Sequence, residues 1–257
     1  MSWWRRWLGC KVAPAVVRAP SVGTDRRVYA IGDVHGRMDL LDTLLDMIAQ
    51  DDASRGAAQL TLIFLGDLMD RGDASRAVIE RVMALIGSGG DVRCLQGNHE
   101  ELFIAAARGD IRVMPTFRRM GAEQTLESYG LGPGRFPVMS DAEIAEWMLH
   151  HVPRAHVDFL DALPDWTEVG DYLFVHAGIR PGAPIEAQKS SDLRWIRRDF
   201  LNHDTPHSHM IVHGHSITPE VDERNNRIGI DTGAYRSGRL TGLGLQGTER
   251  WTLQTPV

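Results

Sequence analysis

Residues able to hold a hard or borderline metal ion recur along this chain in one pattern, each directly after a short apolar run. Val28-Tyr29-Ala30-Ile31 leads through Gly32 to Asp33 and His35. Thr61 to Leu65 leads through Gly66 to Asp67, and Val92 to Leu95 leads to Asn98. Tyr172 to Val175 leads to His176, and Met210 to Val212 leads to His213 and His215. One such residue means little, since a lone His is more often a satisfied structural group. Five successive runs ending this way form a set. Carboxylate, imidazole and amide oxygen suit Mn, Fe or Zn rather than a soft thiolate site. Six ligands are too many for one ion with an open position. They fit two ions about 3.5–4 Å apart that share a carboxylate and a hydroxide.

The apolar runs read as strands, and helical spacing follows each of the first three. Leu40, Leu41, Leu44, Leu45 and Ile48 mark one helix, and Val78, Ile79, Val82 and Leu85 a second. A third follows Asn98 to about Ala107. Strand, turn and helix in repetition predict an α/β architecture, with the polar residues at the carboxyl edge of the sheet, where ligands bind. Residues from about 108 to 166 differ. Ala142, Ile144, Ala145, Trp147, Met148 and Leu149, then Val157, Phe159, Leu160 and Leu163, have helical spacing up to Pro164, so this stretch reads as a helical insertion. Strands return at Tyr172–Val175, Met210–Val212 and Arg227–Ile230. Two more, rich in Gly and Thr, fall between Leu240 and Leu253 and close the chain as a meander.

Composition narrows the chemistry. The net charge of -6 argues against general nucleic-acid binding, which needs a basic surface. No apolar run is long enough for a membrane helix. Lysine occurs only at Lys11 and Lys189, so any phosphate clamp must be built from arginine. Cys10 and Cys94 match no metal spacing and suggest no disulfide framework, which agrees with a reducing, cytoplasmic compartment. Neither begins a Cys-x5-Arg loop, and the chain lacks a Gly-x4-Gly-Lys-Ser/Thr phosphate loop. Residues 1–25 read as a loose leader. Its Trp3-Trp4-Arg5-Arg6-Trp7-Leu8 segment is the one candidate for contact with a membrane surface.

Gly32-Asp33-Val34-His35-Gly36, Gly66-Asp67-Leu68-Met69-Asp70-Arg71-Gly72 and Gly97-Asn98-His99-Glu100 resemble the signatures of the calcineurin-like metallophosphoesterases. Within these the nearest likeness is to the bacterial and phage serine/threonine phosphoprotein phosphatases. Phe174-Val175-His176-Ala177-Gly178 and Val212-His213-Gly214-His215-Ser216 resemble two further signatures. The likeness runs from about Val28 to Thr241. It implies an αββα sandwich of two mixed sheets with flanking helices and a helical insertion over the site, in one catalytic domain spanning 26–257. It also implies roles. Asp33 and His35 would hold one ion, Asp67 would bridge, and Asn98, His176 and His215 would complete the second. His99 would protonate the leaving oxygen, and Asp70 would orient His99. Arg71, Asn98 and Arg197 would bind the phosphoryl group, Arg197 being preferred to Arg194 and Arg198 in Trp195-Ile196-Arg197. A hydroxide shared by two ions, most simply Mn, would attack phosphorus in line.

The remaining histidines read as bystanders: His203, His207 and His209 as solvated, His150 and His151 as helix-end groups. His213 stays open between a contact to a ligand and packing. Asp231-Thr232-Gly233-Ala234 resembles the family's closing turn, which supports the metals from behind. The substrate expected first is a phosphoprotein, because the Asp70-Arg71-Gly72 and Asn98-His99-Glu100 forms favour it. A dinucleoside polyphosphate is the alternative. The insertion is expected to select between them, with Arg118, Arg119 and Arg135 as candidate contacts.

Overall fold

A computed structural model describes residues 19–257. In chain order the first half runs β1 (Arg26–Ile31), α1 (Met38–Ser54), β2 (Gln59–Phe64), α2 (Ser75–Gly87), β3 (Asp91–Cys94) and α3 (Asn98–Ala107). Four helices follow: α4 (Met114–Arg119), α5 (Ala122–Ser128), α6 (Asp141–His151) and α7 (Arg154–Asp161). The second half contains β4 (Trp166–Val169), β5 (Tyr172–Val175), α8 (Ser190–Trp195), α9 (Arg198–Leu201), β6 (Met210–His213), β7 (Asp222–Glu223), β8 (Arg227–Gly229), α10 (Ala234–Ser237), β9 (Thr241–Gln246) and β10 (Glu249–Gln254).

The strands form two five-stranded mixed sheets, ordered β10-β9-β1-β2-β3 and β4-β5-β6-β8-β7. Strand periodicity divides the apolar residues between layers. Val28 and Ala30 of β1 face inward with Ile63, against Tyr172, Phe174, Val212 and Ile228 of the other sheet. Tyr29 and Ile31 face outward with Leu62 and Phe64, under Leu41, Leu44, Val78 and Phe103 of the helices. On the far side, Leu173, Val175 and Ile211 meet Leu193 of α8, Phe200 of α9 and Ile196 between them. The layers are therefore helix, sheet, sheet, helix. β1 and the inner strands beside it are apolar on both faces because both faces are covered.

The helical insertion is present as α4–α7, and a strand that the sequence pattern did not show follows it. Trp166–Val169 is a strand, β4, paired antiparallel with β5. At four residues on a sheet edge, half of it open to solvent, it is too short to show a period. The two-residue β7 escaped notice for the same reason. The expected leader ends sooner. The Ser21 N–H donates to Asp171 Oδ2, the Val22 N–H donates to the Gly247 carbonyl, and Val22 is buried. The Trp3–Leu8 segment lies outside the described residues.

Candidate active site

Register carries the polar loops to one edge. Ile31 pairs with Phe64 and Phe64 with Cys94, so the first three loops leave their sheet level with one another. Phe174 pairs with Val212, and His213 with Gly229, on the second sheet. Backbone bonds then knit the loops. Val34 and His35 N–H groups both donate to the Asp67 carbonyl, and the Gly214 N–H donates to the His176 carbonyl at 2.8 Å.

Asp67 stands at the centre. Its Oδ2 lies 3.7 Å from His35 Nε2 and 3.7 Å from His99 Nε2, and its Oδ1 lies 3.4 Å from His176 Nε2. Two donor groups, His35-Asp67-His99 and Asp67-His176-His215, each draw together within 4.8 Å and share this carboxylate. Asn98 Oδ1 faces His176 Nε2 at 2.9 Å and His215 Nδ1 at 2.8 Å. Asp33 stands beside them: its Oδ2 accepts the His215 N–H at 3.0 Å, and its buried Oδ1 has no partner among the described residues. All six residues expected as ligands thus share one neighbourhood. His99 joins the first donor group by distance, although the sequence assigned it another task.

The imidazoles are set for coordination. His35 Nδ1–H donates to the Met69 carbonyl and His176 Nδ1–H to the Leu65 carbonyl, both at 2.8 Å. Each ring then turns its Nε2 lone pair toward Asp67, an orientation typical of metal-bound histidine. Burial first, then neighbouring positive charge, holds His35 well below the usual imidazole range, and burial lowers His176. Burial and His176 hold His215 down to about 2. Neutral rings, an amide oxygen and an orphaned carboxylate oxygen converge with few protons among them. A cation satisfies that set. Burial opposes charge on Asp67, yet its pKa stays below the ordinary carboxylate value, with the imidazoles packed around it as the cause. Burial, then Asp231 and Asp67, drives Asp33 well above its ordinary range, a cost that a bound cation removes.

A second cluster adjoins the first. His99 Nδ1–H donates to Asp70 Oδ2 at 2.6 Å. Burial works against an imidazolium here, but Asp67 and the bond to Asp70 prevail and raise the His99 pKa. Arg71 donates from Nη1 to His35 Nε2 at 2.8 Å and from Nη2 to His99 Nε2 at 3.1 Å. Its guanidinium carbon lies 4.6 Å from the Tyr235 ring centre. Arg197 is exposed, and its charge bears on both His176 and His215 of the donor groups. Arg194 is instead held by Asp165 and Glu101.

Backbone strain marks the same residues. Among the described residues, the non-glycine positions with positive φ are His35, Asp67, Asp70, Arg71 and His215, between 47° and 71°. Left-handed backbone is uncommon outside glycine, Asp and His tolerate it better than most, and strain of this kind gathers at functional sites.

Residues 26–236 match the family model of the calcineurin-like phosphoesterases. The chain belongs to that family. Its members use a dinuclear divalent centre, and the two donor groups joined at Asp67 fit one. The chain is 34% identical over 154 residues to a symmetrical bis(5'-nucleosyl)-tetraphosphatase of Acidovorax ebreus, covering 60% of this chain and 44% of that protein. It is 27% identical to an asymmetrical bis(5'-nucleosyl)-tetraphosphatase of Anoxybacillus flavithermus, covering 83% and 88%. A crystal structure provisionally identified as a diadenosine tetraphosphatase superposes with a TM-score of 0.62 at 19% identity, over 93% of this chain and 99% of the other. The chain thus spans less than half the length of the first of these relatives.

Some contacts were not visible beforehand. Glu100 accepts N–H groups from Asp67, Leu68 and Gly97 and so ties two loops together. Thr125 of the insertion bonds Asp70, and Tyr235 stands edge-on to His35 at 5.4 Å. The Asn98-His99-Glu100 motif hinted at the first; nothing pointed to the others. His213 resolves toward packing, its ring 5.1 Å from Phe200. His203 and His207 are half-buried, their rings stacked at 4.9 Å with His207 5.9 Å from Phe200. Arg118 is engaged by Asp141 and the Phe136 and Met139 carbonyls, whereas Arg119 and Arg135 are exposed.

Proposed function

We propose that the chain hydrolyses the phosphoanhydride of a dinucleoside polyphosphate, with two divalent ions held by Asp33, His35, Asp67, Asn98, His176 and His215. The observation that carries the hydrolytic reading is the pair of donor groups sharing Asp67 beside an ionisable His99. The substrate class rests on what the named relatives act on. Bound, the ions supply charge that polarises the phosphoryl oxygens and acidifies water. Mn fits the oxygen and imidazole donors, as do Fe and Zn.

The chain's own residues do the rest. Arg71 and Arg197 neutralise the phosphoryl oxygens. An entering phosphoryl group takes the Arg71 N–H bonds now given to His35 and His99, which frees His99 Nε2 to carry a proton. Water forms the new bond to phosphorus and gives up a proton to solvent, the old P–O bond breaks, and the leaving oxygen takes the Nε2 proton. His99 then regains a proton from solvent. Asp70 holds Nδ1 so that Nε2 points at the leaving oxygen.

A phosphoserine or phosphothreonine ester is the second reading, and the Asp70–His99 bond favours it. An alkoxide leaves poorly without a proton, whereas a nucleoside phosphate leaves readily. Purified protein with Mn²⁺, given diadenosine tetraphosphate and a phosphopeptide in parallel, separates the two. Faster turnover of the dinucleotide is expected. Turnover of the phosphopeptide alone overturns the substrate assignment, and no phosphate release from either overturns the reaction class.

A further inference from the structure

The hydroxyl of Thr125, on the inserted helix α5, is buried and lies 55 residues from the side chain it serves. It donates to Asp70 Oδ1 at 2.6 Å and accepts the Asp70 N–H at 2.9 Å. Ser75 Oγ stands 3.0 Å from it. Because the one Thr125 proton goes to Asp70, Ser75 must donate its own. Thr125 thus has its single donor and both acceptor sites filled. Asp70 is held at the backbone and at the carboxylate by one side chain, while its other oxygen binds His99.

Two more bonds seat α5 on this loop. The Arg71 N–H donates to the Gly121 carbonyl at 3.0 Å, and the Arg76 N–H donates to Ser128 Oγ at 3.1 Å. Gly121 has φ 91°, and a Cβ there would lie 2.8 Å from Arg71 Cγ and 2.9 Å from its backbone nitrogen. The helix therefore meets the two left-handed residues, Asp70 and Arg71, from behind.

We propose that Thr125 is a positioning residue for proton donation: it fixes the Asp70 carboxylate so that His99 presents Nε2 to the leaving oxygen. The insertion then builds the acid as well as bordering the substrate. This rests on the reading of His99 as proton donor, and the experiment keeps the two apart. Phenyl phosphate and 4-nitrophenyl phosphate differ little in shape, but nitrophenolate departs without a proton and phenolate does not. Mn²⁺-loaded wild type, His99→Asn, Thr125→Val and Thr125→Ser are compared on both.

Thr125→Val should lower kcat on phenyl phosphate about 10- to 100-fold, the range typical when an outer partner of a metal-site ligand is lost. It should leave KM and Mn content near wild type, and cost 4-nitrophenyl phosphate turnover much less. Thr125→Ser, which keeps the hydroxyl, should recover most of the rate. Where Thr125→Val does not fold, Thr125→Ala removes the same hydroxyl with less bulk and is read in its place. Equal losses on both substrates, or no recovery in Thr125→Ser, overturn the role of Thr125 while a selective loss in His99→Asn leaves the acid standing. No selective loss in His99→Asn overturns both.

Discussion

His99 is buried, yet it binds protons more tightly than a free imidazole, because Asp67 and Asp70 outweigh the penalty of burial. A proton donor must be charged when the leaving group departs, so kcat should hold at low pH and fall as pH rises through the raised His99 pKa. Asp70→Asn removes one of the charges that raise it, so that fall should move to lower pH. The pH profile of kcat on an alkyl or phenyl phosphate checks the sign. The linkage runs the same way: whatever stability the His99 pair adds is complete below the unfolded pKa of about 6.5 and is lost above the folded one. His99→Asn should keep its metal, by elemental analysis, and lose about 10²–10⁴ in kcat. Loss of metal instead would make His99 a ligand, as its distance from Asp67 allows. The residue types were legible in the sequence because coordination and proton transfer draw on few side chains. Thr125 and Tyr235 were not, since Thr and Tyr serve many ends and their contacts depend on how distant segments dock.

Strands and turns, one level up, place these side chains, and here the legibility was uneven. β1, β2, β5 and β6 are covered on both faces and read as plain apolar runs. β4 and β7 are short edge pieces, each paired antiparallel with the next strand along the chain and too short to show a period. The turn after β6 was readable as His213-Gly214-His215, but the reason for its glycine was not. A Cβ on Gly214 would lie 2.0 Å from Asp33 Oδ1. Gly214→Ala should therefore displace the Asp33 carboxylate, leave the two-sheet core intact and lower metal content and activity together. Circular dichroism and elemental analysis on one preparation check this. Full metal occupancy in Gly214→Ala would remove Asp33 from the ligand set.

Across the whole molecule, the donors come from both sheets. Asp33, His35, Asp67 and Asn98 follow β1, β2 and β3, whereas His176 and His215 follow β5 and β6. The sheets meet through apolar packing in the middle, and at this edge through donors that mostly lack protons to share. Carboxylates and lone pairs held this close repel, and the left-handed residues of the loops add strain. Cations offset that repulsion in the folded state alone, because the unfolded chain scatters the ligands. Binding at 100 times Kd should then stabilise the protein by about 2.7 kcal/mol per site. Calorimetry should show the melting temperature rise with added Mn²⁺ and fall on chelation. Asp67→Asn, which removes the shared charge, should abolish most of that response while preserving a cooperative transition, since the apolar core between the sheets is untouched. An Mn²⁺ response of full size in Asp67→Asn would mean that the ions bind elsewhere, and that the meeting of the two sheets at this edge is not what couples metal to fold.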